Sequence, residues 1–154
     1  MDKIFVDTGA WMACMNEDDK NHEKAAKYLK VLLNSSTQII TSNYIKSETI
    51  TLLKYLAGHN IALKAMDIWK EAEKIGSLKT YMITEEDIRE ADKIFANYEE
   101  YMLTFTDCTS FAVCRKLEID KVFGFDSKFN NLGFLIAPYQ IKNKEGEYTI
   151  LRPL

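Results

Sequence analysis

Short apolar runs alternate with longer segments of helical periodicity along this chain, and that alternation restricts its fold more than any other feature. Ile4, Phe5 and Val6 form a brief run that ends at Asp7. β-Branched residues concentrate at 37–41, and further short runs lie at 81–83, 121–125 and 134–136. Each reads as a strand. Between them, apolar residues recur every three or four positions. Residues 9–15 fit a short helix. Segment 19–33 carries Ala25, Ala26, Leu29, Leu32 and Leu33 at helical spacing. Ser42 can cap a helix through Ile45, Thr49, Leu52, Leu53 and Leu56, which Gly58 closes, and 61–75 is another, ended by Gly76. Thr84, followed by Glu85, Glu86 and Asp87, opens a helix through Ile88, Ala91, Ile94 and Phe95. A last long helix begins at Thr106 or Asp107 and ends near Leu117. Strands separated by helices predict an α/β fold, with a short, mainly parallel five-stranded sheet flanked by helices. The runs lack polar alternation, as expected of strands covered on both faces. In open sheets of this kind, ligands bind beyond the carboxyl ends of the strands.

The chain has 154 residues, which suits one domain. We expect a single domain over 1–154, with a core at about 3–137 and a tail at about 138–154; segment 141–150 resembles a hairpin around Gly146. With 20 basic and 23 acidic residues the net charge is −3, so a nucleic-acid ligand would need a local basic patch. The three cysteines, Cys14, Cys108 and Cys114, form no CxxC pair and read as reduced thiols. No apolar run approaches the ~20 residues that span a bilayer, and Met1, Asp2 and Lys3 lead straight into the first strand without a signal-peptide layout. The expectation is a cytoplasmic protein with no membrane segment. His22 and His59 read as surface residues.

Four acids stand where acids need explaining, whereas Glu85, Glu86, Asp87, Glu90, Glu99 and Glu100 fall on solvated helix faces or first turns. Asp7 follows the first strand directly, at its carboxyl end; a turn or helix N-cap is the plain alternative. Glu48 shares a helix face with Ile45, Leu52 and Leu56. A carboxylate there is costly unless it is paired, for instance with Lys46 or Lys54, or bound to metal. Asp107 opens a helix, where capping is the plain reading, yet it shares a face with Phe111 and Cys114. Asp126 follows the 121–125 strand and could cap a short turn through Phe129. If the four converge at one sheet edge, they repel and raise one another's pKa. A divalent cation resolves this, and oxygen ligands suit Mg²⁺ or Mn²⁺ rather than zinc. Walker A, GxGxxG, GxSxG and HExxH motifs are absent. A phosphoryl-transfer DxDx[TV] motif fails because Gly9 stands at its second acid.

These stretches, in this order, resemble a PIN domain of the small VapC-type toxin kind. The resemblance is carried by Val6-Asp7-Thr8-Gly9-Ala10-Trp11, Ser47-Glu48-Thr49, Thr106-Asp107-Cys108-Thr109-Ser110-Phe111-Ala112 and Phe125-Asp126-Ser127-Lys128-Phe129. It implies a Rossmann-like sheet with an acidic pocket, Mg²⁺- or Mn²⁺-dependent hydrolysis of RNA phosphodiesters, and Asp7, Glu48, Asp107 and Asp126 as the acidic tetrad. Thr8 and Ser110 would support the pocket. A homodimer and a small inhibitory antitoxin are also implied. Two positions depart from the family pattern: Gly9, where Ser or Asn is common, and Ser127-Lys128, where a further acid is common. An RNA substrate needs basic residues at the rim of such a pocket, and Lys46, Lys54, Arg115, Lys116 and Lys128 are the candidates. Tyr44 and Trp11 could stack on bases, although core packing is the plainer role for Trp11. Two other readings are an RNA-processing nuclease of the same fold without an antitoxin, and a non-catalytic metal- or RNA-binding module.

Overall fold

A computed structural model describes residues 1–138, together with the backbone at 140–142 and 148–150. The first apolar run becomes strand β1 (Lys3–Val6), and it lies at the centre of the sheet. Helices α1 (Thr8–Met15) and α2 (His22–Leu33) lead to β2 (Gln38–Ser42). Helices α3 (Asn43–Ala57) and α4 (His59–Lys74) lead to β3 (Leu78–Tyr81). Helix α5 (Glu85–Asn97), a 3₁₀ turn and helix α6 (Phe105–Lys116) precede β4 (Lys121–Phe123), and the short α7 (Lys128–Asn131) precedes β5 (Leu135–Ala137). The five strands run parallel in the order β3-β2-β1-β4-β5. β1 therefore pairs on both sides, with Phe5 opposite Ile40 and Val122. Beyond β5, β6 (Gln140–Lys142) and β7 (Tyr148–Ile150) pair antiparallel, as the hairpin expectation requires; its turn at Gly146 lies outside the described residues.

All five strands differ at their boundaries from the sequence reading: β1 begins one residue earlier, β2 is shifted by one residue, and the other three differ as well. The third strand is Leu78–Tyr81 and not 81–83: Leu78 is buried and aligns with Ile39, whereas Met82 is exposed. β3 is an edge strand, so its polar Lys79 and Thr80 hide it from an apolar search. β4 stops at Phe123, and the Gly124 N–H makes the last bond of its pairing with β5, to the Ala137 carbonyl. β5 begins one residue late, since Phe134 joins Phe111 and Phe129 in an aromatic cluster. Helix α2 starts at His22 because Asp19 holds a turn: its Oδ1 accepts the Asn21 N–H and its carbonyl accepts the His22 N–H. His22 is half-buried, with Nδ1 2.7 Å from the Ala13 carbonyl, and so is not a plain surface residue.

The core lies on both faces of the sheet, as the unbroken apolar runs require. Ile4, Phe5, Val6, Val122 and Phe123 are fully buried within it. Tyr28 from α2 stacks on Phe123 at 4.9 Å. Trp11 is core: it meets Trp69 edge-on at 5.6 Å, and its Nε1 donates to Thr41 Oγ1, which donates in turn to the Val6 carbonyl. It cannot stack on a base. Cys14, Cys108 and Cys114 are free thiols. Among the described residues no helix is long and apolar enough to cross a membrane.

Candidate active site

Asp7 stands one residue beyond β1, at the carboxyl edge of the sheet. Its N–H donates to the Phe123 carbonyl at 3.0 Å, which extends the ladder and locks the residue between β1 and β4. Its carboxylate makes no capping bond to α1, so the N-cap alternative does not describe its side chain. The residue is buried. Burial, followed by the charges of Asp107 and Glu48, pushes its pKa up to about 7, against the opposing pull of the Thr8 N–H and the Lys128 ammonium.

Asp107 reaches the same place from α6. The helix starts earlier than the sequence reading had it, with Thr104 as N-cap, so Asp107 is the third helical residue and not the first. Thr104 Oγ1 accepts the Asp107 N–H at 3.1 Å, and Asp107 Oδ2 accepts the Thr104 N–H at 2.9 Å. This reciprocal capping box fixes the carboxylate. Asp126 follows β4, and its Oδ1 accepts the Lys128 N–H at 3.1 Å, so it does shape the turn into α7.

Glu48 comes from α3 and is half-buried. The buried stripe of α3 is Ile45, Thr49 and Leu53, whereas Leu52 and Leu56 are exposed. A helix turns 100° per residue, so Thr49 and Leu53 lie about 40° and 80° to one side of Ile45, and Glu48 lies about 60° to the other. Glu48 therefore borders the buried stripe and does not lie within it. Neither expected partner claims it. Lys46 pairs with Glu73 and stands 5.4 Å from the Trp69 ring centre, and Lys54 is exposed.

The four acids line one open cleft of about 460 Å³. Thr8 lines it too, and its Oγ1 is buried with no hydrogen-bond partner among the described residues. Ser110 does not line it: its hydroxyl donates back to the Thr106 carbonyl at 3.2 Å. Gly9 faces open space, with nothing within 4 Å of where a Cβ would stand. Of the five basic candidates, only Lys128 is in the cleft. Lys116 is taken by Asp87 at 3.3 Å and Glu86 at 3.5 Å, and Arg115 is exposed. Lys128 Nζ lies 2.6 Å from Asp107 Oδ2 and 3.1 Å from Asp126 Oδ2. Burial pulls its pKa down, but those two carboxylates outweigh that and hold it above the ordinary lysine value.

Sequence reasoning placed Lys128 on the rim and missed this position. The one available signal was its place two residues after Asp126, in the first turn of a helix. The same reasoning placed Asp87 in the first turn of the helix that Thr84 opens, which holds, although the residue is buried there. Asp87 closes a capping box with Thr84 and pairs with Lys116, away from the cleft.

The donor set suits a hard divalent cation: carboxylate oxygens and an unpartnered hydroxyl, with excess negative charge. The side chains do not form a closed cage beforehand. Among the described residues no three His, Cys, Asp or Glu groups converge on one metal-sized point.

The chain matches the family model described as PIN domain over residues 4–135. It is 32% identical over 132 residues to the 23S rRNA-specific endonuclease VapC20 of Mycobacterium tuberculosis, a match covering 86% of this chain and 95% of that protein. The crystal structure of VapC20, a sarcin-ricin loop-cleaving toxin, superposes with a TM-score of 0.75 at 31% identity, over 86% of this chain and 96% of that one. VapBC2 from Rickettsia felis, solved with a DNA fragment from its promoter, shares the fold at a TM-score of 0.65 and 10% identity, over 87% and 96% of the two chains.

Proposed function

The chain belongs to the PIN domain family, and on that premise we propose that it is a Mg²⁺- or Mn²⁺-dependent endoribonuclease, the toxin of a toxin–antitoxin pair. The carrying observation is the convergence of Asp7, Glu48, Asp107 and Asp126 in one cleft at the carboxyl edge of the sheet. Asp7, Glu48 and Asp107 would hold the principal ion, and Asp126 completes the acidic set. A bound Mg²⁺ or Mn²⁺ supplies Lewis acidity toward a phosphodiester and acidifies a ligating water. The protein's own residues do the rest. The capping box holds Asp107 in place, β1 and β4 lock Asp7, and the Asp7 carboxyl can keep or release its proton near neutral pH. Thr8 Oγ1 is free to accept or donate one hydrogen bond there.

A hollow of about 430 Å³ adjoins the cleft, sharing Glu48 and lined by Tyr44. It offers a ring on which a base can stack. Exposed Lys54 and Arg115 remain as phosphate contacts beyond the cleft. The relative VapC20 acts on 23S rRNA, so ribosomal RNA is the first substrate to test. By the same family logic the protein works in the cytoplasm as a homodimer and is silenced by a small antitoxin.

The test is incubation of total cellular RNA with the native chain and with Asp7→Asn, under Mg²⁺ or Mn²⁺. Discrete metal-dependent fragments from the native chain, absent with the variant, are the expected result. Metal binding without cleavage of any RNA would point to a binding module instead.

A further inference from the structure

We propose that Lys128 is a built-in cation of the cleft: its ammonium takes Asp107 Oδ2 and Asp126 Oδ2, so that the cleft holds a single divalent ion at Asp7 and Glu48, with Asp107 contributing only its other oxygen, Oδ1. The inference rests on the metal-dependent reading above and deepens it.

The placement is fixed from several directions. Nζ lies 2.6 Å from Asp107 Oδ2 and 3.1 Å from Asp126 Oδ2, and the side chain is only 19% exposed. The Lys128 N–H is held by Asp126 Oδ1, so one aspartate binds both ends of the residue. The next residue, Phe129, is fully buried and packs on Phe111 at 4.8 Å, which pins the short helix. A lysine held in this way is part of the cleft wall and not a mobile rim contact.

The charge distribution then divides the cleft in two. On one side, two carboxylates share one ammonium. On the other, Asp7 and Glu48 have no cation within ion-pair distance among the described residues, and the unpartnered Thr8 hydroxyl lies beside Asp7. A divalent ion on the lysine side would need an oxygen that already binds an ammonium, and it would face that like charge at close range. A divalent ion on the Asp7 side meets neither obstacle. Where a further acid would invite a second metal, this chain carries a fixed positive charge.

The experiment is a Mn²⁺ titration of the full chain, following the electron paramagnetic resonance signal of free Mn²⁺. The native protein is expected to bind one Mn²⁺ per chain, and Lys128→Met two. Lys128→Arg, which keeps the charge, is expected to stay at one. Lys128→Gln, uncharged but still a donor, is expected to match the methionine variant and replaces it should that one fail to fold. Two ions in the native chain, or one ion in both uncharged variants, would overturn the inference while leaving the metal-dependent reading intact. No Mn²⁺ bound by the native chain or by any variant would overturn that reading, and this inference with it.

Discussion

Thr104 and Asp107 hold each other: the Thr104 hydroxyl accepts the Asp107 N–H, and the Asp107 carboxylate accepts the Thr104 N–H. Thr84 and Asp87 repeat the arrangement one helix earlier, and each aspartate also meets a lysine. The two boxes are alike in sequence and in local geometry, but only Asp107 opens on the cleft. Asp87→Ala is therefore expected to cost about 1–2 kcal/mol of stability through the lost cap and to leave RNA cleavage intact. Asp107→Ala is expected to abolish cleavage at a similar or smaller loss of stability. Denaturant unfolding and a cleavage assay on both variants check this.

Asp7 carries a penalty that pH should reveal. Its pKa rises from 3.8 to about 7 on folding, with burial as the largest cause. Between those values the folded chain holds a proton that the unfolded chain has lost, so stability falls as pH rises from about 4 to about 7 and then levels off. Asp7→Asn removes that dependence. The metal-free variant is expected to be more stable than the native chain by a few kcal/mol at pH 8, on the order of 1.4 kcal/mol for each unit of raised pKa. Near pH 4 the two should be close. Thermal unfolding at both pH values, with chelator present, measures the difference.

The buried Thr8 hydroxyl has no partner among the described residues. Thr8→Val keeps the shape and removes an unsatisfied polar atom, so it is expected to leave stability unchanged or raise it by about 1 kcal/mol. Metal affinity and cleavage rate are expected to fall, by roughly tenfold for the loss of one hydrogen bond in the cleft. Unfolding midpoints and Mn²⁺ affinities, compared with the native chain, separate the two effects.

Burial raises the thiols of Cys14 to about 12 and Cys108 to about 11, and it raises Cys114 further with help from the charge of Asp7. The thiolate is the reactive form. A thiol reagent at pH 8 is therefore expected to modify the native chain slowly at all three positions and the denatured chain rapidly. The time course of labelling, with and without denaturant, is the measurement.

Much of this was legible because the governing features are local. Ile4, Phe5 and Val6 announce a buried strand, and Asp7 stands out by following them directly. Glu48 stands out beside apolar neighbours, even though it sits at the border of the buried stripe and not within it. Other features depend on distant partners. β3 escaped a residue-exact reading because Lys79 and Thr80 belong to an edge strand that shows one side to water. The cap of α6 was misplaced because two threonines, Thr104 and Thr106, offer competing starts. Lys128 could not be placed because its meeting with Asp107 spans 21 residues of chain and exists only once β4 has docked beside β1.

The sheet order carries one more consequence. β1 precedes the other described strands, yet one of its two neighbours is β4, which follows only after helices α1 to α6 and strands β2 and β3. Asp7 therefore leaves the ribosome long before Asp126 and Lys128 exist to join it. On the proposed function, a translation product that stops short of residue 126 would lack part of the acidic set and could not cut RNA.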